Sequence, residues 1–165
     1  AALLEVARVL KTGPYQPKKT VLFVAWCGGE RQDRLSLVNI MNAKTGFSRL
    51  EMEAVLELSG LAQGSGRGIA IGSGTSYRLV QLIEKAAGRI NLSVTTRGRD
   101  VHIDIPRQSG FGGRKALTAF LSWDGSDYLA HTPEDRIEYI DIAKMQKSGE
   151  LASLVTTILS RETDY

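Results

Sequence analysis

One stretch of the sequence decides the fold class and reads Thr20-Val21-Leu22-Phe23-Val24-Ala25-Trp26-Cys27-Gly28-Gly29-Glu30. Its first part, residues 20–26, is apolar and rich in β-branched side chains, which is typical of a strand buried on both faces of a sheet. Glu30 follows directly after this predicted strand. Because open α/β sheets place their sites beyond the carboxyl ends of their strands, Glu30 is a candidate site residue.

Helical and strand patterns alternate along the rest of the chain. We predict helices over residues 2–12, 33–44 and 75–87, strands over 52–58, 68–71, 91–95, 101–105 and 116–123, and a helical C-terminal part interrupted at Ser148-Gly149. Such alternation is typical of one α/β domain, with helices on both faces of a largely parallel sheet. A single domain over residues 1–165 is therefore expected.

The composition excludes several classes of protein. With 42% hydrophobic and 24% charged residues, the chain matches ordinary globular proteins. The net charge of +3 comes from scattered basic residues, whereas a nucleic-acid-binding protein concentrates them in a patch. The longest apolar run, residues 21–27, is much shorter than the roughly 20 residues that span a bilayer. We therefore expect that residues 1–165 neither bind nucleic acid nor insert into a membrane. The single cysteine excludes an intrachain disulfide.

Several motifs have a functional and a simpler structural interpretation. The glycine-rich stretches 64–68 and 72–74 lack the spacing of nucleotide-binding loops and are predicted to be turns. The His102-x-Asp104 pair would share one face of a strand, either as metal ligands or, as we favour, as its polar outer face. Cys27 could act as a nucleophile with His131 as its base, but a single cysteine in a buried strand usually serves packing.

A stronger candidate site consists of Glu30, Glu57 and His131. Two carboxylates and an imidazole are ligands that zinc uses in proteins. Glu57 closes the predicted strand 52–58 as Glu30 follows the earlier one, and His131 lies in a polar loop after strand 116–123. Taken singly, each of these residues could equally be a helix cap or a structural histidine.

The segments around these residues resemble the di-zinc aminopeptidases and their relatives, which include glutamate carboxypeptidases and the catalytically inactive transferrin-receptor ectodomain. Residues 21–30 resemble the strand that ends in the family's Glu-Glu pair. Residues 55–60, Val-Leu-Glu-Leu-Ser-Gly, resemble its Asn-Leu-Asp-Met-x-Gly strand. Residues 131–135 match its His-Thr-x-x-Asp segment and are followed by Ile140-Asp141, while residues 2–8 are similar to the helix after its first metal-binding turn. The matches occur in family order across nearly the whole chain.

The resemblance implies a fold and a set of metal ligands. The fold would be a three-layer α/β sandwich with a mostly parallel mixed sheet, truncated so that the first strands are missing. Glu30 and His131 would hold one zinc ion, and Glu57, in place of the usual aspartate, would hold the other.

The sequence also departs from the family pattern in ways that affect catalysis. The first glutamate of the family's pair is the general base, and Gly29 occupies that position here. The family's His-x-Asp ligands and its bridging aspartate precede the helix with which this chain begins. The Ser-Asp-His-like segment that shapes the family's pocket corresponds to Ser109-Gly110-Phe111. We therefore expect zinc to be weakly bound or absent.

Three functions are consistent with these observations. The first is a zinc metallo-exopeptidase domain that acts on N-terminal peptide bonds but is inactive as this chain alone. The alternative is a non-catalytic scaffold that binds a protein partner or forms a homo-oligomer through an exposed sheet edge. A third function is a metal-independent binder of peptides or small molecules. By the resemblance, the parent protein is expected to be extracytoplasmic or membrane-tethered.

Overall fold

The computed structural model of the chain describes residues 1–25, 53–72, 75–96, 117–126, 132–133 and 135–161. Within these ranges lie the helices α1 (Ala2–Thr12), α2 (Tyr77–Arg89) and α3 (Ile142–Arg161), the strands β1 (Ala54–Leu58), β2 (Gly68–Ile71), β3 (Ser93–Thr96) and β4 (Leu117–Trp123), and a 3₁₀ helix (Ile137–Tyr139). These bounds agree with the predicted elements to within about two residues. The predicted helix 33–44 and strand 101–105 lie outside the described residues.

The described strands form one mixed sheet in the order β1-β4-β2-β3. Strands β1 and β4 are parallel, from Ala54 opposite Leu117 to Leu58 opposite Leu121. Strands β2 and β3 are also parallel, whereas β2 and β4 are antiparallel. The prediction of an α/β fold with a mostly parallel mixed sheet is confirmed.

The main core lies between one face of this sheet and the helices α2 and α3. Alternate side chains of β4, Ala119, Leu121 and Trp123, are buried in this core. They pack with Ile83 of α2 and Leu151 of α3, both of which are fully buried. Because full burial of a leucine or isoleucine side chain contributes about 1.5–3 kcal/mol, these contacts hold both helices on the sheet.

A smaller core cluster joins α1 to α3 and corrects one prediction. Val6 and Leu10 of α1 are buried against Ala152 of α3, and Val21 and Phe23 pack against the same cluster. The predicted strand over residues 20–26 is wrong for residues 20–25, which lie outside regular secondary structure. The apolar side chains of Val21 and Phe23 instead pack beside α1 and α3.

Helix α3 corrects a second prediction, the interruption at Ser148-Gly149. The helix runs unbroken from Ile142 to Arg161. Ser148 is 2% exposed, and its hydroxyl donates a hydrogen bond of 2.9 Å to the carbonyl of Leu61. The serine is therefore a docking residue of a continuous helix, and the contact that holds it is remote in sequence.

No helix within the described part of the chain has the length and apolar character needed to cross a membrane.

Candidate functional site

The carboxyl ends of β1 and β4 lie side by side at one edge of the sheet, because the two strands are parallel and in register. Their pairing continues beyond β1. The Ser59 amide donates to the Leu121 carbonyl at 3.0 Å, and the Trp123 amide donates to the Gly60 carbonyl at 3.1 Å. The segments that leave these two strands therefore begin next to each other.

Glu57 is the penultimate residue of β1 and lies on the sheet face away from the described helices. Its neighbours Leu56 and Leu58 pack against the core clusters, and successive side chains of a strand point to opposite faces. Glu57 is half-buried and lies opposite Phe120 of β4 in the strand register. A carboxylate thus lies at the strand end where the sequence predicts a metal ligand.

The β1–β2 loop, residues 59–67, is bonded to the end of β4. The Gly66 amide donates to the Asp124 carbonyl at 2.9 Å, and the indole Nε1 of Trp123 donates to the Gly66 carbonyl at 2.8 Å. A Cβ atom on Gly64 would lie 2.4 Å from the Asp124 carbonyl oxygen, and Gly64 has a positive φ of 120°. Residues 64–67 of the glycine-rich stretch therefore form a tightly packed turn, as predicted, and Gly68 begins β2.

The N-terminal half of α3 and the residue before it hold the same loop from the other side. Besides the bond from Ser148 to Leu61, the Asp141 amide donates to the Ala62 carbonyl at 2.9 Å. The Lys144 ammonium donates to the Gly64 carbonyl at 2.7 Å. The same ammonium lies 5.8 Å from the centre of the Trp123 ring. Three carbonyls of the β1–β2 loop thus accept bonds from this part of the chain.

The β4–α3 loop, residues 124–141, contacts the β1–β2 loop at two further places. Ser126 is 4% exposed and lies so close to Gly60 that a Cβ there would be 2.8 Å from its Oγ. The Gln63 amide nitrogen donates to Oδ1 of Asp135 at 3.2 Å. Ser126 and Asp135, which lie on either side of residues 127–131 in the sequence, therefore both contact the loop that follows Glu57.

Of the predicted metal ligands, only Glu57 lies among the described residues, and its role as a ligand stays a prediction. Glu57 is described and lies at the strand end as predicted, whereas Glu30, His131 and the Gly29 position lie outside the described residues. The same is true of Cys27, His102-x-Asp104 and residues 109–111. In the described ranges, no three His, Cys, Asp or Glu side chains form a group that could hold a metal ion.

Sequence reasoning did not identify Gln63, Lys144 or Ser148 as part of this region. The local sequence at Ser148 predicts a helix break, because a small polar residue beside glycine also occurs at helix ends. No local sequence pattern marks Gln63 or Lys144 as part of this region, because their hydrogen-bond partners lie far away in the sequence.

A family model described as peptidase family M28 matches residues 1–156. The chain belongs to peptidase family M28. The match includes Glu30, Glu57 and His131 and ends within α3. No curated protein sequence matches the chain at a significant level.

Solved structures of aminopeptidases share the M28 chain's fold at low sequence identity. The Legionella pneumophila LapA aminopeptidase matches with a TM-score of 0.79 and 15% identity, over 99% of this chain and 45% of its own. The aminopeptidase from Aneurinibacillus sp. strain AM-1 matches with a TM-score of 0.73 and 16% identity, over 99% of this chain and 38% of its own. The chain thus spans less than half the length of either structure.

The contact between Gly60 and Ser126 should be essential to the strand-end geometry. We expect Gly60→Ala to lower the free energy of unfolding by about 1–3 kcal/mol, because it adds a Cβ at a φ of 55° and against a buried serine. As a control, Gly149→Ala in α3, where an added Cβ meets nothing within 4 Å, should stabilise the chain by roughly 0.5–1 kcal/mol. Urea unfolding of both variants measures the difference, and a Gly60→Ala variant of wild-type stability would contradict the prediction.

Proposed function

We propose that this M28 chain carries part of the metal site of a zinc exopeptidase of the aminopeptidase type and is catalytically inactive by itself. The observation that carries the proposal is the position of Glu57 at the carboxyl end of β1, from which a loop leads to contacts with the described residues of the β4–α3 loop. Family M28 is generally zinc-dependent, and carboxylate and imidazole groups suit zinc. Glu57, the one proposed ligand among the described residues, has a carboxylate that is consistent with zinc.

The proposed ligands are Glu30, Glu57 and His131. A bound zinc ion would supply Lewis-acid polarisation of a peptide carbonyl and would lower the pKa of a water molecule. The chain's described contribution is to hold Glu57 at one sheet edge, through the parallel pairing of β1 and β4. Glycine at position 29 provides no side chain that could accept a proton. The chain therefore lacks, at this position, the general base that the resemblance to di-zinc aminopeptidases implies.

Zinc binding tests the ligand role of Glu57. Glu57→Gln keeps the size of the side chain and removes its charge, so we expect zinc affinity to fall by at least the roughly 10–100-fold that loss of an outer-shell partner costs. The matched control is Glu53→Gln, because Glu53 immediately precedes β1 and pairs with Lys19 at 2.6 Å. Competition with a fluorescent chelator gives the affinities. Equal affinities for the two variants would exclude Glu57 as a ligand.

Catalytic competence is tested with a chromogenic leucine substrate. In the presence of added zinc, we expect the purified chain to release the chromophore at least about 100-fold more slowly than the L. pneumophila LapA aminopeptidase in parallel, since a general base contributes 10²–10⁴ in rate. A chelator-sensitive rate comparable with that of LapA would contradict the proposed inactivity.

A second candidate function, a non-catalytic scaffold, is favoured by the position of β1. Among the described strands, β1 is at the edge of the sheet, and residues 20–25 beside it form no strand. Unpaired backbone groups on an edge strand can pair with another chain. Sedimentation velocity distinguishes the candidates: a scaffold that assembles through this edge should form dimers as concentration rises, and a monomer at all concentrations would count against it.

A further inference from the structure

We propose that Gln63 is a positioning residue that fixes the turn after His131 relative to the strand end carrying Glu57. This inference deepens the proposed function and rests on it where zinc is concerned. The relevant contact is the hydrogen bond of 3.2 Å from the Gln63 amide nitrogen to Oδ1 of Asp135. Asp135 is four residues beyond His131, and Gln63 is six beyond Glu57.

The side of the contact that contains Gln63 is held in place from several directions. The carbonyls on either side of it, those of Ala62 and Gly64, accept bonds from the Asp141 amide and from Lys144. Ala62 itself is 6% exposed. Because the backbone on both sides of Gln63 is hydrogen-bonded, the position of its Cα is fixed. Its side-chain amide can therefore hold a more distant segment in a defined place.

The other side of the contact is a turn in the β4–α3 loop. The Asp135 amide donates to the Thr132 carbonyl at 3.0 Å, and Arg136 Nε donates to the Pro133 carbonyl at 2.8 Å. These bonds close the chain locally just after His131. Local closure gives the turn a shape, but neither bond attaches it to the sheet.

Among the described residues, contacts of the β4–α3 loop with the β1–β2 loop occur near its beginning, at Asp135 and at its end. Ser126 packs against Gly60 at its beginning, and the Asp141 amide bonds to Ala62 at its end. The bond from Gln63 lies between these two anchors and involves a residue near His131. The two end anchors fix where the loop starts and stops, while Gln63 constrains where the turn near His131 lies between them.

In the contact between Gln63 and Asp135, the donor and the acceptor are known, so substitutions can remove or replace the donor. A glutamine amide donates to the Asp135 carboxylate, so a lysine could replace it as a donor, whereas a leucine could not. The chain also offers a matched control, because Gln146 donates to Glu150 at 2.8 Å within α3. Loss of that second bond removes the same type of contact, glutamine amide to carboxylate, without involving either loop.

Hydrogen exchange of the metal-free chain measures the positioning directly. In Gln63→Leu, we expect the Asp135 amide to exchange about three- to tenfold faster than in wild type, in line with the loss of one hydrogen bond. Gln63→Lys should keep the wild-type rate, and Gln146→Leu should leave it unchanged. Equal exchange rates in Gln63→Leu and wild type would overturn the proposal.

Zinc affinity, measured for the same variants by competition with a fluorescent chelator, gives a readout that general stability does not move. We expect Gln63→Leu to bind zinc about tenfold more weakly than Gln146→Leu, at equal urea midpoints, because outer contacts orient metal ligands. If wild type binds zinc and the two variants bind it equally, the role of Gln63 at the metal site is overturned while the proposed function stands. If wild type binds no zinc, the proposed function fails, and the exchange rates alone decide whether Gln63 positions the turn.

Discussion

The in-register parallel pairing of β1 and β4 is the constraint on which the rest of the described structure depends. It places the carboxyl ends of two strands that are far apart in sequence at one sheet edge. The loops that leave these ends must then lie next to each other, and their buried backbone groups need hydrogen-bond partners there. The bonds from the Trp123 amide to the Gly60 carbonyl and from the Gly66 amide to the Asp124 carbonyl meet this need.

Side-chain alternation along β1 separates the apolar face of the sheet from the face that carries Glu57. Alternation along β1 directs Leu56 and Leu58 toward the described helices and leaves Glu57 on the opposite face. Packing of these partly buried leucines therefore fixes the face of the sheet on which the carboxylate lies. A fold can in this way keep its stabilising residues while residues on the opposite face change.

Much of the fold could be predicted from the sequence because strongly periodic segments have few alternatives. The helix over Tyr77–Arg89 and the strand over Leu117–Trp123 were predicted within two residues of their ends. The two errors concern residues whose partners are remote. Residues 20–25 have a strand-like composition but pack beside helices, and Ser148 resembles a helix breaker but bonds to Leu61. In both cases a tertiary contact overrides the local preference.

The sequence by itself determined the α/β class, the order of its elements and the resemblance to zinc aminopeptidases, because these depend on periodicity and on short motifs. It also identified Glu57 as a candidate ligand, since the residue ends a strand within such a motif. Only the tertiary structure decided how the segments at the strand ends meet. The bonds from Gln63 to Asp135 and from Lys144 to Gly64 join residues more than 70 positions apart. Such contacts leave no local pattern, because each depends on where the sheet places its partner.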